Sequence, residues 1–166
     1  MMHDASGVSI RLAGPDDAPV LARLRYEFRA SHDLAIEPEA EFFERCTAWM
    51  TPRLMPGSSW RCWVAEDGTQ VIATAWLQLI DKLPNPVDEA ESHGYISSLY
   101  VVPARRDAGI GSRLLEECLR ECAAAEVDAV ILWPTPRSRR LYERFGFVVR
   151  DDVLERRMSQ PPLHAA

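Results

Sequence analysis

The run from Tyr100 to Leu115, YVVPARRDAGIGSRLL, constrains this chain most. A β-branched apolar stretch stops at Pro103, two arginines follow, Gly109 and Gly111 flank one residue, and helix formers begin at Ser112. A strand that turns into a helix through glycines leaves the first-turn N–H groups of that helix without carbonyl partners. With the positive end of the helix dipole they form a site for an anion, and a missing Cβ lets a phosphate approach the backbone. Arg105 and Arg106 are expected to add mobile positive charge at the rim, and a pyrophosphate is the natural guest. Two better-known phosphate loops fit badly. The dinucleotide fingerprint needs a third glycine where this chain has Leu114, and its strand opens the chain, whereas this one lies late. The P-loop needs a lysine before the hydroxyl residue, but Gly111 and Ser112 are adjacent.

The rest of the chain alternates elements at the spacing of an α/β or α+β domain. VSIRLA (Val8 to Ala13) predicts a strand. Pro15, Asp16 and Asp17 start a helix through His32, with Val20, Leu21, Leu24 and Phe28 on one face. A second helix is expected from Pro38 to Met55, ended or kinked by Pro52. WRCWVAED and VIATAWLQLI predict a hairpin about a tight GTQ turn, and the acid- and proline-rich segment from Asp81 to His93 predicts a surface loop. GYISSLYVVP then gives a strand, Ser112 to Glu126 an amphipathic helix with an apolar stripe through Leu114, Leu115, Cys118, Leu119, Cys122 and Ala123, and AVILW (Ala129 to Trp133) a strand buried on both faces and parallel to its predecessor. TPRSRRLYERFG predicts a short helix ending at Gly146, FVVRDDVLERRM a bend and a last strand, and Gln160 to Ala166 a tail.

Composition narrows the class. The chain has 166 residues and suits one domain with an ordinary core. Its net charge of −6 argues against a nucleic-acid surface and favours an amine or another cation as partner. No apolar run is long enough for a membrane span, and MMHDASGVSIRLAG lacks the basic and apolar regions of a signal peptide, so a cytoplasmic address is expected. Cys46, Cys62, Cys118 and Cys122 lack metal-ligand spacing, so no metal is expected and the thiols are taken as buried and free.

Val101, Pro103, Arg106, Gly109 and Gly111 spell V-x-P-x-x-R-x-x-G-x-G, which resembles motif A of the GNAT superfamily of N-acetyltransferases, the segment that holds the pyrophosphate of acetyl-CoA. RRLYERFGF (Arg139 to Phe147) is similar to that superfamily's motif B, in which a tyrosine is followed four residues later by Gly-Phe. The resemblance extends over about residues 8 to 158. It implies an α/β (α+β) GNAT fold with a mixed central sheet of about six to seven strands, about four helices and a pair of splayed parallel strands that take the coenzyme. It further implies a single N-acetyltransferase domain over residues 1–166. Acetyl-CoA is the implied cosubstrate and an amine the implied acceptor, on a small molecule ahead of a protein lysine or N-terminus. A CoA-binding module without turnover is the alternative from another class. Dimers are common in the superfamily, which leaves a homodimer open.

The same resemblance distributes roles. Leu99, Tyr100 and Val101 offer backbone groups to the pantetheine arm as an added strand would. Arg106, Asp107, Ala108, Gly109, Ile110, Gly111 and Ser112 hold the pyrophosphate. A bulge near Ser98 and Leu99 supplies a free N–H for the oxyanion, and Tyr142 protonates the leaving thiolate. Thr135 and Ser138 stand where the family often has Asn and Ala, and a hydroxyl there can still bond to pantetheine. Where many members carry a glutamate base, YISSLYV has Ser97 and Ser98. The base candidates are therefore His93, by its intrinsic pKa, and Ser97, by positioning a water. Glu27, His32 and Asp81 lie in segments that line the acceptor side in this family, and Tyr26, Phe28, Trp49, Trp60 and Trp76 are the aromatic candidates for the pocket.

Overall fold

Five strands form one sheet in sequence order: β1 (Val8–Leu12), β2 (Trp60–Asp67), β3 (Gln70–Asp81), β4 (Ser92–Val101) and β5 (Ala129–Ile131). The computed structural model describes residues 7–34, 37–156 and 158. The first three pairings are antiparallel and β4 pairs with β5 in parallel, so the sheet is mixed. The helices are α1 (Ala18–Ala30), α2 (Glu39–Arg53), α3 (Ile110–Ala124) and α4 (Arg139–Arg144). Two compact units are formed, residues 1–133 and 134–166, with the sheet and first three helices in the first and α4 in the second. None of the helices among the described residues is long and apolar enough to cross a membrane.

Register shows which side chains share a face. Cys62 opposes Trp76, Val64 opposes Thr74, Thr74 opposes Tyr100, and Trp76 opposes Ser97. Leu21 and Leu24 of α1 and Met50 of α2 close over Cys62, Val64, Trp76 and Tyr100 on that face. The opposite face meets α3, whose Leu114, Leu115, Cys118 and Cys122 are buried. All four cysteines are buried and free, as their spacing predicts. The start of α1 is tied down by Asp17, which accepts from the Gly14 N–H at 2.8 Å and from both Arg11 guanidinium nitrogens at 2.8 Å.

The structure corrects several expectations. The sheet has five strands where six to seven were expected, because residues 147–156 form no strand among the described residues. Val148, Val149, Val153 and Leu154 are exposed there, and the two acids between the apolar pairs break the alternation a half-buried strand needs. β5 is not buried on both faces: it is a three-residue edge strand, with Ile131 38 % and Trp133 63 % exposed. Pro52 stands one residue before the end of α2, which runs to Arg53, and the Leu54 N–H still reaches the Met50 carbonyl at 3.1 Å. β3 begins at Gln70, which opposes Asp67, so the hairpin turn holds only Gly68 and Thr69. Asp81 and Ser92 still pair across β3 and β4, which shortens the surface loop to residues 82–91. The expected tail, Gln160 to Ala166, lies outside the described residues.

Candidate active site

β4 is held on one side along its length and on the other only at its start. Parallel pairing joins His93, Gly94 and Tyr95 to Ala129, Val130 and Ile131, and no register continues beyond Tyr95. From Ile96 to Val101 no strand among the described residues pairs with the edge toward β5, the edge an added strand can use. The register against β3 slips in the same stretch. Ser97 opposes Trp76 and Tyr100 opposes Thr74, so Ser98 and Leu99 share the single partner position of Ala75. Ser98 sits at φ +51°, a left-handed corner that turns the bulged backbone out of the ladder. The Val102 N–H bonds to the Ile72 carbonyl at 3.0 Å, so by strand alternation the polar groups of Val101 point to the open edge.

Pro103 begins a single 3₁₀ turn through Arg105, after which Asp107 at φ +63° and Gly109 at φ +76° swing the chain into α3. Gly109 is needed for that backbone conformation, because a Cβ on it would meet nothing within 4 Å. Gly109 caps α3 without a side chain, and the Arg113 N–H returns to its carbonyl at 3.2 Å. The N–H groups of Ile110, Gly111 and Ser112 precede that ladder, and the first turn carries no acidic residue. Backbone donors, a helix N-terminus and no competing carboxylate in that turn fit a pyrophosphate. The rim is less mobile than the sequence suggests. Arg105 is ion-paired with Asp67, and the Arg106 Nε donates to the Val101 carbonyl at 3.0 Å while its guanidinium lies over the Tyr100 ring.

Arg25 is the side chain that sequence reasoning missed. From the middle of α1 its Nη1 donates to Ser98 Oγ at 2.7 Å, bringing a guanidinium to the bulge. Nothing local marks it, since Arg25 is one of many polar positions beside the apolar stripe of α1; only the tertiary contact distinguishes it. Ser97 shares the α1 face with Trp76 and is half-buried. His93 opposes Ile80 and Ala129, five residues before Ser98 and so about 16 Å upstream along the strand. Its Nδ1 is buried without a hydrogen bond, with Asp128 Oδ2 at 4.0 Å.

Of the remaining acceptor-side candidates, Phe28 stacks on Tyr100 with centroids 5.4 Å apart, and Tyr26 packs against Phe42 and Phe43 of α2. Trp49, Trp60 and Trp76 form one aromatic cluster. His32, exposed in the turn just after α1, has its Nδ1 2.9 Å from the Phe28 carbonyl, and Asp81 is exposed at the end of β3.

In the second unit, Tyr142 lies on α4, buried, with the Phe147 ring 5.7 Å away. Gly146 at φ +84° ends that helix, and the Phe147 N–H returns to the Tyr142 carbonyl at 3.1 Å. Thr135 and Ser138 bond to each other: the Thr135 N–H donates to Ser138 Oγ at 2.9 Å and the Ser138 N–H to Thr135 Oγ1 at 3.2 Å. Their hydroxyls thus build the turn that opens α4.

The model of the acetyltransferase (GNAT) family matches residues 23–147. A probable N-acetyltransferase of Mycobacterium tuberculosis is 27 % identical over 150 residues, which cover 86 % of this chain and 80 % of that protein. Among solved structures, a predicted acetyltransferase of Clostridium acetobutylicum crystallised with acetyl-CoA superposes with a TM-score of 0.76 at 27 % identity, over 91 % of this chain and 96 % of that one. A GCN5-related N-acetyltransferase of Ralstonia eutropha gives a TM-score of 0.73 at 28 % identity, over 90 % and 98 % of the two chains. With an open parallel edge, a bulge in the central strand and a glycine-opened helix already in place, the chain is an acyltransferase and belongs to the GNAT acetyltransferase family.

Proposed function

We propose that the protein moves the acetyl group of acetyl-CoA to a primary amine of a small molecule by direct attack within a ternary complex, and that residues 1–166 act as one catalytic domain. The observation that carries this reading is the end of parallel pairing at Tyr95, which leaves the later half of β4 open just before the first turn of α3. The family match supports one domain, because it runs across both compact units.

When bound, acetyl-CoA supplies the activated acyl carbon. The chain's residues then bind, orient and move protons. The N–H groups of residues 107–112, with Arg106 behind them, hold the pyrophosphate. Leu99 and Val101 pair with the pantetheine arm from the open edge, while Tyr100 supports Arg106 and Phe28 through its ring. The N–H at the Ser98–Leu99 bulge takes the negative charge that develops on the thioester oxygen. As the new C–N bond forms and the C–S bond breaks, Tyr142 gives its proton to the departing sulfur. The amine proton leaves through a water held by Ser97, which sits beside the bulge, whereas His93 stands at the far end of the strand. Thr135 and Ser138 shape the turn before α4.

Thiol release from acetyl-CoA over a panel of amines tests this reading, together with titration calorimetry of CoA. Saturable release with at least one amine, and CoA binding that a bulky residue at Gly111 weakens, are expected. Tight CoA binding with no amine-dependent thiol release would leave a binding module instead.

A further inference from the structure

Most arginines of the first unit that are fixed by a carboxylate lie toward solvent. Arg11 pairs with Asp17 and Glu66, Arg45 with Glu37, Arg61 with Glu121, Arg105 with Asp67 and Arg120 with Glu117. Arg25 is different. It is half-buried between α1 and β4, has no ion pair among the described residues, and has one hydrogen bond, to Ser98 Oγ. Its guanidinium stands 5.7 Å from the Phe28 ring centre. A guanidinium carries five donors in a planar fork, and none of them meets a carboxylate among the described residues. Arg29, one turn further along α1, likewise makes no ion pair among the described residues and adds positive charge, and Glu27 between them, which pushes the Tyr100 phenol up, makes no ion pair with Arg25 among the described residues. Burial, and after it the charge of Arg29, pulls the Arg25 guanidinium below its ordinary value, the sign of a cation lacking a counter-ion.

A half-buried cation is costly unless an anion meets it. The coenzyme does not bring one there. Its phosphates belong to the first turn of α3, beyond the end of β4, whereas Ser98 lies three residues before Val101, about 10 Å back along the strand, where the uncharged thioester end rests. The missing anion must arrive with the acceptor. The molecule's net charge of −6 attracts the ammonium end of such a ligand, and the one fork at the bulge suits a carboxylate.

Resting on the acetyltransferase reading above, we infer that Arg25 is a specificity-determining residue that binds a carboxylate of the acceptor, so that the substrate is a small amine carrying a carboxylate on the same molecule.

The test pairs amino acids of several chain lengths with their amides, in wild type, Arg25→Gln and Arg25→Lys. Thiol release from acetyl-CoA gives kcat and KM, and thermal shift of the CoA-bound protein gives binding without turnover. At least one acid should exceed its amide by about tenfold or more in kcat/KM. Arg25→Gln should bring the acid-to-amide ratio of kcat/KM close to one, chiefly through the KM of the acid, and Arg25→Lys should restore part of that ratio. Equal use of acids and amides, or a uniform loss for both in Arg25→Gln, overturns the inference. So does a preference for aminoalkyl phosphates over the carboxylates. Arg25-dependent stabilisation by an acid without any thiol release would sink the catalytic reading while leaving this one standing; no stabilisation and no release with either member of any pair would sink this one.

Discussion

A Cβ on Gly94 of β4 would stand 2.7 Å from the Sγ of Cys122 on α3, closer than real Cβ contacts come. Leu77 Cδ1 would be 3.3 Å away. Helix α3 thus rests against bare backbone where β4 still pairs with β5, one residue before that pairing ends at Tyr95. Gly94→Ala should destabilise the fold by about 1–3 kcal/mol, as overpacking of a close core does. Cys122→Ala in the same chain should return much of that loss, because it removes the atom in the way. Urea unfolding of the two single variants and the double gives the coupling directly, and additive losses would show that the contact is not the cause.

Ser112 lies in the first turn of α3, among the N–H groups assigned to the pyrophosphate. A carboxylate there complements the helix dipole, so Ser112→Glu should leave stability unchanged or raise it by about 0.3–1 kcal/mol. The same charge occupies the anion site. CoA affinity should therefore fall by about tenfold or more, and titration calorimetry beside a melting curve reads both effects. A variant that loses stability and keeps its affinity contradicts the assigned phosphate cradle.

The antiparallel hairpin, the long helices and the glycine turn were legible because each is written in local pattern: alternation in Val8–Leu12, the apolar stripe of α3, and a glycine where φ must be positive at residue 109. The bulge at Ser98 and Leu99 was expected only through the family resemblance, for nothing in ISSLYV marks a two-against-one register; that depends on Ala75, over twenty residues away. The edge character of β5 was illegible for a related reason. Ala129 to Trp133 is apolar enough for a buried strand, and burial is decided by which neighbours pair with it. Arg25 belongs to the same class, since its meaning comes from Ser98, 73 residues on.

Asp17 offers a pH test of the fold apart from catalysis. Its carboxylate is held below the usual range first by the Arg11 hydrogen bonds and then by the Gly14 N–H, against the opposing effect of burial. A group whose folded pKa is depressed stabilises the fold above its unfolded pKa and stops doing so as pH falls through the folded value. Asp17→Asn should lower the urea midpoint at pH 7 and narrow the gap between pH 7 and pH 3, because below its unfolded pKa the wild-type carboxylate begins to lose this contribution as the unfolded chain takes up the proton. An unchanged midpoint at pH 7 would mean that the Arg11–Asp17–Gly14 link does not hold the entry to α1.

Tyr142→Phe separates the ring from the hydroxyl. Phe keeps the packing against Phe147, 5.7 Å between centroids, and the backbone bond from Phe147 to residue 142, so α4 and the turn at Gly146 should persist. What goes is the hydroxyl proposed to protonate the departing sulfur. With acid catalysis lost, kcat should drop by about 10²–10⁴-fold while CoA affinity stays within a few-fold. Thiol release at saturating amine for both proteins, beside titration calorimetry of CoA, decides the matter: equal rates remove Tyr142 from the proton path and leave it an anchor of the short helix.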